Sequence, residues 1–257
     1  MNSARFTYTL AAIVSLIALA TTSAPASAGI FNVKPIRLYF TKDTSSVILT
    51  LQNQDTAPLR IQIAGVRWSN TRDGQTIFKP TDDLIVFPTL FTMNPLETRN
   101  IRIGFSGTPP RQTELTYRIT IDELPSLESQ LSKTGASGLS VRTRITVPVF
   151  FQPDTIVKSA QVADLSMRRG VAQALFANNG NFHVVVGDVD FTGRDASGAK
   201  VFSQDVKGWY VLAGESQLFD ARIPRSRCNQ VKQISITVHT DIGAFTRTAA
   251  AAPGDCA

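Results

Sequence analysis

Residues 139–153 read Leu-Ser-Val-Arg-Thr-Arg-Ile-Thr-Val-Pro-Val-Phe-Phe-Gln-Pro. Apolar side chains stand at alternate positions of this stretch, with Thr143 as the exception: Leu139, Val141, Ile145, Val147 and Val149. Arg142, Arg144 and Thr146 fill the positions between them. Because the side chains of a β-strand point alternately to its two faces, the stretch predicts a strand with one apolar and one cationic face. Such an apolar face either completes the core of its own domain or is available to another protein.

The first 28 residues have the pattern of a secretory signal peptide. Arg5 supplies the positive charge before an apolar run over residues 10–20, and Ala26-Ser27-Ala28 supplies the small residues of a cleavage site. The run is shorter than the ~20 apolar residues that cross a bilayer, and no later segment approaches that length. The sequence therefore predicts an exported protein without a membrane-inserted segment, whose mature chain is residues 29–257.

The charge balance excludes one class of partner. The chain has 26 Lys and Arg against 20 Asp and Glu, a formal net charge of +6. The signal peptide holds one Arg and no acidic residue, so the mature chain keeps a modest positive excess. A nucleic-acid surface requires clustered basic residues with interleaved aromatic ones, and the sequence has no such run. We expect no nucleic-acid partner, while a basic face for acidic groups of a protein partner stays open.

The mature chain reads as short strands separated by turn residues, which predicts an all-β protein. About seven or eight strands precede Pro153, the number and spacing of an immunoglobulin-like sandwich over residues 29–153. The rhythm repeats in a smaller β-sandwich over residues 154–257. Pro35 interrupts the first extended segment and predicts an edge strand that bends or changes partners there. Asp73-Gly74 predicts a hairpin turn.

The only two cysteines, Cys228 and Cys256, lie near the C-terminus. In an oxidising compartment the favoured interpretation is one disulfide that ties the tail to the second domain, and two free reactive thiols are the less favoured one.

The inventory of reactive side chains argues against an enzyme. The two histidines, His183 and His239, are far apart in sequence and lack metal-ligand spacing. The carboxylate pairs Asp82-Asp83 and Asp122-Glu123 are adjacent in sequence, so in a strand their members point to opposite faces and do not form an acid/base couple. We therefore predict no catalytic residue, no metal site and no cofactor. Trp68 and Trp209 are expected to pack in a core or between domains.

Four ordered blocks of the first domain resemble the PapD-like periplasmic pilus chaperones of the chaperone-usher pathway. The blocks are Pro35-Ile36-Arg37-Leu38-Tyr39-Phe40; Asp82-Asp83-Leu84-Ile85-Val86-Phe87-Pro88 with Asn94-Pro95 and Arg99-Asn100-Ile101-Arg102-Ile103; Tyr117-Arg118-Ile119-Thr120-Ile121-Asp122-Glu123-Leu124-Pro125; and Val147-Pro148-Val149-Phe150-Phe151-Gln152-Pro153. The resemblance implies a periplasmic, non-enzymatic chaperone of two immunoglobulin-like domains set at an angle with a cleft between them. The Val-Pro-Val-Phe segment is more similar to the archaic branch of the family than to the other branches.

The same resemblance implies the mechanism known as donor-strand complementation. Pilus subunits of this pathway lack the last strand of their fold, and the chaperone lends its own strand to the open groove. By position, Leu139, Val141 and Ile145 enter the groove, and Val147 follows them or belongs to the chaperone's own core. The implied partners are pilus subunits and an outer-membrane usher. An exposed apolar edge also predicts that the free chain self-associates or covers this strand.

One position departs from the family pattern. Classical members of the family hold the C-terminal carboxylate of the subunit between two basic residues in the cleft, one on the first strand and one on the last. Arg37 matches the first, while Pro148 stands where the second is expected and carries no charge. We expect Arg118, on the neighbouring strand, to be the substitute, and Arg144 to be the second candidate.

Other interpretations remain open from sequence. The residue 139–153 strand fits a closed core strand of an ordinary domain, and strand arginines such as Arg37 and Arg118 are usually surface charges. The alternative functions are a secreted immunoglobulin-like adhesin or structural pilus subunit, and, as a third, a secreted hydrolase.

Overall fold

The computed structural model describes residues 30–108, 111–125, 142–252 and 254–256. These residues form eighteen strands and a single helix of four residues, so the all-β prediction is confirmed. The predicted signal peptide over residues 1–28 lies outside the described residues. Within them, no helix is long and apolar enough to cross a membrane.

The first ten strands form a sandwich of two sheets. They are β1 (Phe31–Lys34), β2 (Leu38–Phe40), β3 (Ser46–Asn53), β4 (Leu59–Asn70), β5 (Thr76–Pro80), β6 (Leu84–Phe87), β7 (Leu90–Met93), β8 (Thr98–Phe105), β9 (Leu115–Leu124) and β10 (Arg144–Phe151). One sheet has the order β1-β3-β8-β6, and the other has the order β2-β10-β9-β4-β5 with β7 also paired to β4. Alternate residues of facing strands fill the space between the sheets: Ile101 and Ile103 of β8 and Tyr117, Ile119 and Ile121 of β9 are fully buried.

Pro35 separates two strands that belong to different sheets. β1 pairs with β3 in the first sheet. β2, which begins four residues after Lys34, pairs with β10 in the second. Proline cannot donate a ladder hydrogen bond, so the chain leaves one edge and joins another at this point. The predicted change of partner at Pro35 is confirmed. The predicted hairpin at Asp73-Gly74 is also present, with Gly74 at φ 83° between β4 and β5.

The remaining strands form a second sandwich. They are β11 (Ala160–Arg168), β12 (Val171–Asn178), β13 (Val184–Arg194), β14 (Lys200–Lys207), β15 (Tyr210–Val211), β16 (Ser216–Arg222), β17 (Gln233–Thr240) and β18 (Gly243–Ala250), with the helix α1 (Arg225–Cys228) between β16 and β17. The sheets have the orders β11-β12-β16 and β14-β13-β17-β18, and β15 adds to β13. The predicted boundary between residues 153 and 154 lies between β10 and β11.

Two local features of the second sandwich bear on the sequence predictions. Cys228 and Cys256 form the predicted disulfide, which ties the C-terminal tail to α1. The sequence did not predict α1, because one turn after Pro224 is too short to show helical periodicity.

The two sandwiches meet through an aromatic cluster. Trp68 and Phe150 of the first sandwich pack with Tyr210 and Leu212 of the second, and all four side chains are buried. Trp68 therefore packs between the domains, as predicted. The same prediction for Trp209 was wrong, since this residue is 54% exposed beside the Tyr210 ring. Trp209 immediately precedes the two-residue strand β15.

A buried histidine–carboxyl pair joins the sandwiches next to this cluster. The Nδ1 atom of His183 lies 2.9 Å from Glu114 Oε1, and the backbone N–H of His183 donates to Glu114 Oε2 at 3.0 Å. The side chains of His183 and Glu114 are 4% and 0% exposed, and the imidazole stacks on Phe150 with ring centroids 4.1 Å apart. Burial raises the pKa of the Glu114 carboxyl, and the hydrogen bond from His183 opposes this rise. His183 thus has a structural role in holding the domains together.

The position of this pair predicts the effect of removing one partner. The variant His183→Ala leaves the buried Glu114 carboxylate without its side-chain donor, so we expect the free energy of unfolding in urea to fall by about 3–5 kcal/mol. His239→Ala is the control, because the exposed His239–Asp190 pair is worth less than about 1 kcal/mol. Equal losses in the two variants would contradict a structural role for the buried pair.

Candidate functional site: a free strand edge beside a basic cleft

One edge of β10 is only partly covered. All eight residues of β10 pair with β9 on one side. On the other side β2 pairs in parallel with Val149–Phe151 alone, so among the described residues no strand pairs with residues 144–148. A strand with unpaired N–H and C=O groups is a template for a further strand. We call this stretch the free edge.

The register identifies which backbone groups the free edge presents. Glu123 N–H donates to the carbonyl of Thr143 at 3.0 Å, and Gln152 N–H donates to the carbonyl of Phe40 at 2.9 Å on the opposite side. Because successive residues direct their ladder groups to alternate sides, the even-numbered residues Arg144, Thr146 and Pro148 face the free edge. Pro148 has no N–H, so the free edge has no orphaned donor where it meets β2.

The apolar face of β10 continues into the core of the first sandwich. Val147, Val149 and Phe151 are at most 3% exposed in that core, and Ile145 is half-buried at its border. Leu139 and Val141, the other two residues predicted to enter a partner's groove, lie outside the described residues. Ile145 therefore lies on the same face of β10 as the side chains that fill this domain's core.

Arg118 is a buried cation without a carboxylate partner among the described residues. It lies opposite Pro148 in the β9–β10 register and is 6% exposed. Its Nη1 atom donates to Thr146 Oγ1 at 3.0 Å, its guanidinium lies 4.0 Å from the Trp68 ring centroid, and its Nε atom has no hydrogen-bond partner. Burial lowers the pKa of this guanidinium because the charged form is desolvated.

Arg37 lies on the same side of the domain junction as Arg118. It is exposed just before β2, and its guanidinium carbon is 5.6 Å from the Tyr210 ring centroid. Burial raises the pKa of Tyr210, and the positive charges of Arg37 and Arg118 oppose this rise. Tyr210 therefore lies within the electrostatic field of both guanidinium groups. We refer to Arg37, Arg118 and Tyr210 as the basic cleft.

Arg144 does not belong to the basic cleft. Its side chain is 70% exposed and forms an ion pair with Asp122 of β9. It lies four residues, or roughly 13 Å, along β10 from Pro148. Of the three predicted anchors, the structure brings together Arg37 and Arg118 and leaves Arg144 apart, already neutralised by a carboxylate.

The arrangement combines two binding elements in one place. The free edge offers backbone hydrogen bonds to an extended segment, and the basic cleft beside it offers a desolvated positive charge to an anion. The described residues contain no group of three or more His, Cys, Asp or Glu side chains that could hold a metal ion. The geometry is that of a site for binding a polypeptide strand.

Sequence reasoning missed three residues of this site. Tyr210 comes from the second sandwich, and its approach to Arg37 depends on how the domains pack. Trp68 and Thr146 contact Arg118 from β4 and β10, and only the pairing of β9 with both strands shows this. The proline at position 148 was a signal for Arg118, since a residue without charge or donor beside a buried cation leaves room for a ligand.

Comparison with known families identifies the first sandwich. Residues 30–157 match the family of pili and flagellar-assembly chaperones, PapD N-terminal domain. No curated protein matches the sequence significantly.

Solved structures share the fold over both sandwiches. A chain of the CsuC–CsuE chaperone–tip adhesion subunit complex from archaic chaperone-usher Csu pili of Acinetobacter baumannii is 18% identical, with 85% of this chain and 97% of that chain covered and a TM-score of 0.60. The YadV chaperone is 16% identical, with coverages of 86% and 98% and a TM-score of 0.56. A chain of the SafA pilin–SafB chaperone complex of Salmonella enterica is 17% identical, with 86% of this chain and 96% of that chain covered and a TM-score of 0.51.

The match of the first sandwich to the family model, and the shared fold of two β-sandwiches, lead to one conclusion. The chain belongs, through its first domain, to the PapD-like pilus chaperones.

Proposed function

We propose that this protein is a periplasmic chaperone of the archaic chaperone-usher branch, which binds incomplete pilus subunits by donor-strand complementation and delivers them to an outer-membrane usher. In this proposal residues 1–28 are a signal peptide, residues 29–153 are the subunit-binding domain, and residues 154–257 are the second domain. The observation that carries the proposal is the free edge of β10 next to the unpaired, buried cation of Arg118.

The free edge supplies the first part of the mechanism. A subunit that lacks its last strand has an open groove and an unpaired strand edge, and residues 144–148 carry the complementary backbone groups. In this proposal Leu139, Val141 and Ile145 enter the groove. Each large apolar side chain contributes roughly 1.5–3 kcal/mol before ordering costs, so three of them hold a stable complex that still transfers its cargo.

The basic cleft supplies the second part. A buried, unpaired guanidinium is costly, and a carboxylate that enters the cleft would offset this cost with a charge-assisted hydrogen bond to Arg118 Nε. Arg37 approaches from the exposed side and completes a two-cation anchor for the C-terminal carboxylate of the subunit. This pair replaces the basic residue that Pro148 does not provide.

Two structural neighbours support the class of partner. The CsuC–CsuE and SafA–SafB structures are complexes of a chaperone with a tip adhesion subunit and with a pilin. We propose the same class of partner for this chain. We also propose that its activity is binding rather than catalysis, and that it needs no metal or cofactor. A secreted adhesin or structural subunit is the alternative. The buried cation of Arg118 beside the free edge favours the chaperone, because a structural subunit needs no such cation next to its strand edge.

The donor strand gives the first test. We expect tagged mature chain to recover a β-rich subunit in stoichiometric amount from the periplasm of its native host, and Val141→Glu to recover none, because a carboxylate in an apolar groove is not solvated. The measurement is affinity capture followed by mass spectrometry.

Arg142→Glu is the matched control for this capture. It introduces the same carboxylate one residue along the chain, at an exposed position on the opposite face of the strand, and should leave recovery unchanged. Equal recovery by Val141→Glu and wild type, or no recovered subunit with either, rules out donor-strand complementation and leaves the strand as part of a closed core.

Arg118 gives the second test, which separates an anchor from a stabilising residue. We expect Arg118→Met to change the free energy of unfolding by less than about 1 kcal/mol, because an apolar isostere of a buried unpaired charge is close to neutral. The same variant should bind the subunit's C-terminal peptide about tenfold more weakly, since a charge-assisted hydrogen bond is lost.

The peptide itself provides the control for that result. The amidated peptide should bind wild type with the same low affinity that the free acid shows for Arg118→Met. Its affinity should also be the same for wild type and Arg118→Met. A loss on amidation that is the same in wild type and Arg118→Met would show that another group holds the carboxylate.

A further inference from the structure

The second sandwich has nearly equal numbers of basic and acidic residues, but the basic residues are concentrated at one end. Residues 154–257 contain eleven Lys and Arg and ten Asp and Glu. Eight of the basic residues and only two of the acidic ones, Asp195 and Asp255, lie on the connections at one end of the sandwich. The basic residues come from the β11–β12 turn, the β13–β14 turn and the segment from Arg222 to Lys232.

This end is remote from the proposed subunit site. β13 begins at the domain junction, where Val185 pairs with Tyr210, and ends at Arg194 after eleven residues. An extended strand of that length spans roughly 30 Å. The positive end is therefore not part of the basic cleft, and the proposed function does not account for it.

A cleft of about 490 Å³ opens in this end of the sandwich. Arg169, Arg222 and Arg225 line it, together with Gly170 and the Cys228–Cys256 disulfide. No acidic residue is among its lining residues; Asp220, two residues before Arg222 on the same face of β16, is outside it. In the described part of the chain, none of the three arginines forms an ion pair with a carboxylate.

The disulfide and the tail build one wall of the cleft. Gly170 N–H donates to the carbonyl of Asp255 at 2.6 Å, and Ala252 N–H donates to Asp255 Oδ2. These bonds, with the disulfide, hold Ala252, Asp255 and Cys256 against the β11–β12 turn and α1. The cleft is thus held by covalent and backbone contacts that do not use the arginine side chains.

Arg169 occupies a backbone position that disfavours it. It has φ 50° and Gly170 has φ 72°, and both lie between the paired residues Arg168 and Val171. Two positive φ values in a two-residue hairpin turn define the type I′ turn, for which Asn-Gly is the preferred sequence. A long side chain in the left-handed region reduces stability, so the turn alone does not explain an arginine here.

We propose that this cleft is a binding site for a phosphate-bearing anion. Guanidinium groups bind phosphate oxygens through paired hydrogen bonds, and three of them converge on a space that fits a phosphate or pyrophosphate group. The absence of acidic lining residues leaves this charge to be compensated by a ligand. The group belongs either to a soluble phosphate compound or to a phospholipid headgroup, and the two sources share the same recognition chemistry.

Calorimetric titration of the full mature chain with pyrophosphate at low ionic strength tests the site. We expect saturable binding that Arg222→Gln weakens about tenfold, as the loss of a charge-assisted hydrogen bond predicts. Lys207→Gln is the matched control, because it removes the same charge from an 84% exposed side chain at the opposite end of the sandwich. No binding by wild type, or equal weakening in the two variants, overturns the proposal.

Arg169→Asn adds a readout that a structural role would not give. Asparagine suits the type I′ turn, so the melting temperature should rise, while pyrophosphate affinity should fall. A fall in both, or unchanged affinity, overturns the assignment of Arg169 to the site.

Vesicles distinguish the two sources of phosphate. Cosedimentation with phosphatidylglycerol but not phosphatidylcholine vesicles, lost in Arg222→Gln, assigns the site to lipid headgroups. Pyrophosphate binding without vesicle binding assigns it to soluble phosphate compounds. Vesicle binding that is insensitive to Arg222→Gln, without pyrophosphate binding, overturns the site.

Discussion

The alternation of side chains along β10 determines how the core of the first domain and the contact between the two domains are packed. Val149 and Phe151 point into the first sandwich, while Phe150 between them points out of it and stacks on His183 of the second. One strand therefore closes the core of one domain and provides the contact surface for the other. A shift of the strand by one residue would exchange these faces, so core packing and domain packing fix a single register. The position of the free edge relative to the basic cleft depends on that register.

Two ionisable side chains are buried at the domain junction, and they differ in their hydrogen bonding. Glu114 receives the imidazole and the backbone N–H of His183, and its carboxylate is satisfied inside the protein. Arg118 has Thr146 and the face of Trp68, but its Nε atom is left without a partner. These hydrogen bonds join the two domains and favour one arrangement of them. A buried charge without a partner is better explained by a ligand that brings the opposite charge, which is why Arg118 carries more weight than the exposed Arg37.

The sequence predicted the parts of this protein that depend on local pattern. Alternation and turn residues identified the strands, the change of partner at Pro35 and the disulfide, because these follow from neighbouring residues or from the redox compartment. The contacts of Glu114 with His183 and of Arg37 with Tyr210 were not predictable, since they join residues about 70 or more positions apart across the junction. Trp209 was assigned to packing by its residue type, whereas it lies just before the two-residue strand β15 and is exposed. The arginine-rich end of the second sandwich was not predicted because its basic residues come from three separate segments.

An edge that is open to a partner must not pair with a second copy of itself. Charged side chains on an edge strand are the usual protection. Arg142 is exposed just before β10, whereas Arg144 is exposed but paired with Asp122. Pairing of the free edges of two copies would bring their Arg142 side chains onto one sheet, where like charges placed opposite each other destabilise the ladder. Pro148, which has no N–H, also removes one donor from this edge. A segment without this charge meets no such penalty, so the charge pattern disfavours a second copy of the chain as the occupant of the free edge.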